Sequence, residues 1–472
     1  MNIEIHPYGA YIFYDAKKWI PLLLIPALRI LTAPFLEDSY TTAAGLILAS
    51  VRDGGVAALL LLYSVLKWRR CRYHLREYAG GSLHSLTLSQ GVVLRRVLRI
   101  SAEDAASVEM ERTPLLWLLG GRRIRVNTAG LRRKSDAVLY LSAAQAKSLM
   151  GSGVGHAGKN RYTARLWPVL MMSASSSNAA LGLLALAPAL RQTGKVLGEE
   201  LPGEVVSLFR RFVSLGLPPI LESVANILVL GWAFAFLRSL LRYIGFRAER
   251  QGNRLHLVSG LFTRRDVLID CDKITALELR QTLFMRLFGL YTAVITAAGY
   301  GRDSGARPVL IPAARPKELC AALDVLLPDY PICTSILRPK KTALFGYLAP
   351  ALWLLAGCLV PLWLGGVWKV AAVLWAAGAA WWLLVRFLGF YQAGFGVGRS
   401  AAAIGYSRGL ALYRVYIPLE VTDCAVIRRS PWQRGSDGCT VELRCFGEKR
   451  RRHRVRHLPY GPALDLALKL HL

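Results

Sequence analysis

A chain of 472 residues that is 54% hydrophobic, with a mean hydropathy of +0.34, is too apolar for an ordinary soluble enzyme and long enough for several domains. Its formal charge of +30 fits nucleic acid or an anionic membrane surface, and the hydropathy favours the membrane. Eight scattered cysteines form no C-x-x-C pair and no zinc-like Cys/His spacing, so they read as reduced thiols, with no metal and no cofactor expected.

Residues 1–18 are polar and aromatic, and the apolar run after them lacks a small-residue cleavage site, so no removable signal peptide is expected. Apolar runs then come in pairs: 19–36 with 43–66, 166–190 with 217–237, and 343–364 with 367–387. Most of them reach the roughly 20 residues needed to cross a bilayer as helix, which predicts six spans. Lys17, Lys18, Lys67, Arg69, Arg70, Arg72, Arg161, Arg165, Arg238, Arg242, Arg247, Arg338, Lys340 and Lys341 sit at one end of these pairs, although Arg210 and Arg211 dissent. The positive-inside bias places both termini and the stretches between the pairs in the cytoplasm. The predicted division is 1–66 (first hairpin), 67–162 (first soluble module), 163–240, 241–341, 342–390 and 391–472, hairpin and module alternating.

The modules repeat. Gly91, Gly120 and Gly130 recur as Gly260, Gly289 and Gly299, each 169 residues on. A weaker third copy, offset by 149, carries Gly260, Arg265 and Gly289 onto Gly409, Arg414 and Gly438. A fixed offset held over such a length marks an internal repeat. Short alternating segments (85–88, 124–126, 254–258, 293–296, 440–444) read as half-buried strands. A helix-like apolar pattern closes each module at 142–150, 316–327 and 462–470.

In the third copy, Ile417-Pro418-Leu419-Glu420-Val421 precedes Ser430-Pro431-Trp432-Gln433-Arg434. Diverged versions lie at 100–112 with Thr113-Pro114 and at 269–281 with Thr282-Leu283. With these residues and the alternation of hairpin and module, the chain resembles the bacterial membrane proteins with pleckstrin-homology-like domains, the YdbT-like group. The resemblance implies three α+β modules, each a bent antiparallel sheet of about seven strands capped by a carboxy-terminal helix, and implies no catalytic residues. The third copy departs from the pattern at Gly435 to Asp437, where the others carry Leu118-Leu119 and Leu287-Phe288.

No phosphate loop, zincin helix or nucleophile elbow is present, so a non-enzyme is expected. The basic run Lys449, Arg450, Arg451, Arg452, Arg454 and Arg456 could lie against anionic head groups, each basic residue adding about 1 kcal/mol before screening. A solvated strand that helps retain topology accounts for it equally well, and nucleic acid is disfavoured because no aromatics interleave. The repeated Arg96, Arg265 and Arg414 could bind a head-group phosphate, but an arginine at a strand edge more often only discourages pairing.

Within the spans, Arg29 and Asp53 lie about 15 and 22 Å along their helices from Trp19 and Trp68, close enough in depth for an ion pair. Ser175, Ser176 and Asn178 favour close helix approach. The sequence thus predicts a membrane scaffold binding a protein partner, itself or anionic lipid. A transporter or export factor for a hydrophobic or peptide-like molecule is the alternative.

Overall fold

The computed structural model describes residues 2–16, 43–77, 83–92, 94–101, 103–128, 137–149, 160–175, 219–297, 308–333, 335–364, 368–445 and 451–470. Elements in chain order begin with β1 (Asn2–Ile5), α1 (Ala10–Ala16) and α2 (Ala43–Arg70). Strands β2 (Arg72–Glu77), β3 (Leu83–Gln90), β4 (Arg96–Ser101) and β5 (Ala105–Arg112) follow, then α3 (Pro114–Leu118), β6 (Gly121–Thr128), β7 (Ala137–Ser142) and α4 (Ala143–Leu149). Next come β8 (Arg161–Thr163), α5 (Leu166–Ala174), α6 (Pro219–Tyr243), β9 (Arg247–Gln251), β10 (Arg254–Ser259), β11 (Arg264–Asp270), β12 (Ile274–Thr282), α7 (Leu283–Leu287), β13 (Tyr291–Ala297), β14 (Val309–Ala314) and α8 (Pro316–Leu326). The chain continues through α9 (Ala343–Ala356), α10 (Leu359–Leu364), α11 (Trp368–Gln392), β15 (Gly394–Val397), β16 (Ala401–Arg408), β17 (Ala411–Pro418), β18 (Thr422–Arg428), α12 (Pro431–Gly435), β19 (Gly438–Cys445), β20 (Arg451–Pro459) and α13 (Tyr460–Leu468).

The chain forms two compact units. The first comprises Met1–Ala157 together with Thr263–Leu268, most of β11. It holds an antiparallel sheet ordered β1-β2-β3-β4 and the run β7-β6-β5, which β11 extends at the β5 edge. Burial in β7 alternates residue by residue, as the period of two requires when one face packs inward. Tyr73, Leu86, Leu88, Ile124, Val126, Leu139 and Leu141 meet in one core, with Leu268 of β11 packed against it.

In the second unit β12 pairs antiparallel with β17, from Leu277↔Tyr416 to Thr282↔Ala411, inside a sheet ordered β14-β13-β12-β17-β16-β15. A separate sheet, β18-β19-β20, lies across the core from β15–β17. Phe395, Ile404, Val415, Ile417, Val441, Leu443, Val455 and Leu458 fill that core, and Ala463 of α13 closes it. Thus the expectation of self-contained sheets needs revision. β11 and β17 each extend a sheet begun by strands well before them in sequence, because their backbone edges are paired there.

The short strand before a helical pair joins the strand after it. β1 pairs with β2, β8 with β9, and Leu337 bridges Phe395. Three residues such as Arg161–Thr163 are too short to stand out in a hydropathy pattern.

Threonine N-caps set the helices α3 and α7: Leu116 N–H donates to Thr113 Oγ1 at 3.4 Å, and Met285 N–H to Thr282 Oγ1 at 3.3 Å. At α12 Ser430 takes the same place, its N–H donating to Gln433 Oε1 at 3.1 Å. The polar stretch at 435–437 therefore still follows a one-turn helix. The left-handed residue that ends it is Asp437 (φ 49°), not Gly438, matching Gly120 (φ 69°) and Gly289 (φ 63°). The third copy has lost one residue between Gly409 and that turn, a shift that matching glycine to glycine concealed.

One run among the described residues, Ala343–Trp363, is long and apolar enough to cross a membrane. Residues 19–36 and most of 166–190 lie outside the described residues, as do Arg29, Ser176, Asn178, Lys449 and Arg450. Asp53 is on α2, and Ser175 caps the end of α5 with its hydroxyl donating to Met172 O at 2.9 Å.

Buried Glu111 is the electrostatic centre of the first unit: Arg123 Nη2 at 3.5 Å, Arg125 Nη2 at 3.3 Å and Arg265 Nη2 at 3.3 Å surround it. Removing one partner of a buried charge group leaves the others uncompensated, at about 3–5 kcal/mol. Glu111→Ala should therefore destabilise the protein by about 3 kcal/mol in denaturant or thermal unfolding, while Glu103→Ala, at an exposed position, should leave it unchanged.

Candidate functional site

At the end of the apolar run, α9 and α11 pack against each other, α11 rests on β16 and β17, and α9 reaches β20. A cleft of about 350 Å³ opens where they meet, lined by Tyr347, Trp382, Arg386, Tyr406, Ser407, Arg454 and Arg456 among others. Three arginines line it and no carboxylate does.

Each wall has a local cause. Gly405 faces Gly394 across β15–β16, and a Cβ on Gly405 would lie 2.4 Å from Gln392 O, so only glycine lets the helix end come this close to the sheet. A Cβ on Gly346 would lie 2.7 Å from the His457 ring, which lets α9 seat against β20. Tyr347 donates its hydroxyl to Arg456 O at 2.7 Å, and its ring packs on His457 at 5.1 Å. On the opposite wall Tyr406 stacks on Tyr413 at 5.4 Å and is bonded to buried His453 Nδ1 at 3.1 Å.

Arg386 lies over the Trp382 ring at 5.0 Å, a cation–π contact that fixes its side chain, and its Nε is buried without a hydrogen-bond partner. A buried donor left unpaired is costly, and an arriving acceptor would remove that cost. What the arrangement offers is positive charge, an unpartnered guanidinium N–H at Arg386 and aromatic faces, the chemistry that receives a phosphate or carboxylate.

Of the arginines expected from the sequence, Arg454 and Arg456 line the cleft. Arg452 is exposed and lies 3.8 Å from Glu442, and Arg451 opens β20. The three repeated arginines are not brought together. Arg96 is exposed on β4, Arg265 is paired with Glu111, and Arg414 lies opposite Leu279 in the β12–β17 pairing. Arg386, Tyr347 and Tyr406 escaped sequence reasoning. The signal available was an arginine at the end of an apolar run, four residues after a tryptophan. A second cleft of about 330 Å³ beside α5 includes Arg161 and Arg165, but Glu318 lines it too and pairs with Arg165 at 3.1 Å. No group of three or more His, Cys, Asp or Glu residues arranged to hold a metal occurs among the described residues.

Burial, followed by Arg456 and Arg386, holds the His457 imidazole below its ordinary pKa. Because the folded pKa is the lower one, the neutral ring's stability is complete above the unfolded value near 6.5. It is lost as pH falls through 6.5 towards the folded value. His457→Gln should therefore flatten the acid side of the stability–pH curve below about pH 6.5, measured by thermal unfolding from pH 5 to 8.

Two comparisons place the chain among known proteins. The family model described as Bacterial PH domain matches residues 20–152 and 205–325, just over half of the chain. The chain is similar to the UPF0699 transmembrane protein YdbT of Bacillus subtilis (strain 168), at 22% identity over 333 residues, 63% of this chain. The match spans 66% of that relative, slightly under two thirds of its length. No solved structure matches.

Proposed function

The chain belongs to the bacterial PH domain family, and we propose from that premise that it is a polytopic inner-membrane scaffold whose cytoplasmic PH-like modules bind anionic lipid head groups. Three such modules alternate with helical hairpins, and the protein is not an enzyme. The observation that carries this reading is the cleft beside Arg386, where three arginines meet no carboxylate at the foot of Ala343–Trp363, the one run among the described residues long and apolar enough to cross a membrane. A buried, unpartnered guanidinium N–H at that depth is matched by the phosphate of a bilayer lipid, which arrives from the side where Trp382 and Tyr347 already form an interfacial wall.

The helices at the module tips support the same placement. α3 exposes Trp117 (63%) and Leu118 (79%), and α7 exposes Leu287 (79%), with exposed Phe288 just after it. Met285 of α7 packs with Met171 and Met172 of α5, so in the second unit the apolar tip lies beside a helix that begins an apolar run. Apolar tips beside span ends are what a module resting on a membrane surface requires.

The test is lipid retention by the purified full-length protein. Arg386→Gln with Arg456→Gln should reduce co-purified phosphatidylglycerol and cardiolipin about tenfold by mass spectrometry, since two charge-assisted contacts contribute on the order of 1.4 kcal/mol or more. Phosphatidylethanolamine should be unchanged. Equal retention of anionic lipid by variant and wild type would sink the reading.

A further inference from the structure

The open edge of β4 points to a protein partner. Two strands standing at the same place after their glycine turns, β11 and β17, have that edge covered within the chain. β11 is covered by β5 and β17 by β12. β4 ends its sheet, with only β3 beside it among the described residues. The sixth residue after Gly91, Gly260 and Gly409 is Val97, Asp266 and Val415; their exposures are 62%, 8% and 0%. An apolar side chain and, among the described residues, a strand edge with no neighbour thus lie open at β4 where the counterparts are buried, a template for another strand.

Charge decides which strand. In each covered pair, the residue two before the helix N-cap is matched by the strand it meets. Glu111, two before Thr113, pairs with Arg265 at 3.3 Å. Arg280, two before Thr282, lies opposite Tyr413 with its guanidinium 5.8 Å from the ring. The chain's own remaining candidate is β18, an outer strand of its sheet, whose residue two before Ser430 is Arg428. In the β12–β17 register, a second copy would set Arg428 opposite Arg95 and beside Arg96. Like charges directly opposite are destabilising. The basic edge carrying Arg95, Arg96 and Arg99 instead calls for what β5 presents, a carboxylate at the Glu111 position.

We propose that β4 accepts the edge strand of a separate polypeptide carrying the same kind of module, with an acidic residue two before its helix N-cap. The inference rests on the modular reading above and is independent of the lipid cleft. A photo-crosslinking residue at Val97 of the full-length protein in its native membranes tests it, with the crosslinked peptide sequenced. The expected adduct is a strand from another bacterial PH domain chain with that acid in place. Its yield should fall at least tenfold on Arg95→Glu with Arg96→Glu, and return when the partner's acid is exchanged for arginine. Adducts mapping to β18 of a second copy, adducts to lipid alone, or a yield no higher than at exposed Glu103 would each overturn the proposal. Anionic-lipid retention should be unaffected by the Arg95 and Arg96 changes, so that failure of this proposal and failure of the lipid reading are told apart.

Discussion

Edge pairing between distant strands is the constraint from which the rest of this architecture follows. β12 and β17 are held by a register of six successive residue pairs, although more than a hundred residues and a pair of long helices separate them. Such a pairing is expensive in chain entropy, because a long loop must close before any ladder hydrogen bond forms. Helices that are themselves confined reduce that cost. With α9 and α11 packed side by side, the strand leaving α11 starts close to where the strand before α9 ended, as the Leu337–Phe395 bridge records. The helical pair and the sheet are thus mutually dependent: the hairpin brings the edges together, and the paired edges fix the foot of the hairpin.

Buried charge follows from the same arrangement. A strand edge that receives a neighbour loses water from any ionisable group on it, so Glu109, Glu111 and Glu278 are buried where β5 and β12 are covered. Glu111 is tolerated because three guanidiniums surround it. In the third copy the corresponding strand, β18, has no such neighbour among the described residues, is half-exposed and carries Val426 at the position of Glu278. Buried Glu111 thus lies where the arriving strand supplies Arg265 as its counter-charge.

How much of this could be seen in the sequence depends on the range of the interaction. Strand positions and the closing helices were legible because they rest on local rules: alternation and helical periodicity. The short strand β8 and the bridging residue Leu337 were not, since a strand of one to three residues has no period. The left-handed turn at Asp437 was hidden by the glycine beside it, although aspartate is among the few residues that tolerate that conformation. Which repeated arginine is free and which is matched was also out of reach. Arg96 and Arg265 occupy one repeat position, and only the strand that arrives from elsewhere distinguishes them.

The cleft illustrates the same limit from the opposite direction. Its arginines come from β20 and from α11, more than sixty residues apart, and neither stretch announces a site by itself. The arginine run at the end of the chain drew attention because its charge is dense, yet density is the property of a solvated strand as much as of a binding surface. Arg386 differs in a way density cannot encode: its charge is held on a tryptophan ring, partly buried and one hydrogen bond short. For this fold, a site is better sought where an apolar run meets a sheet edge and a glycine pair such as Gly394 and Gly405 lets the two approach, because that is where a charged side chain loses its water.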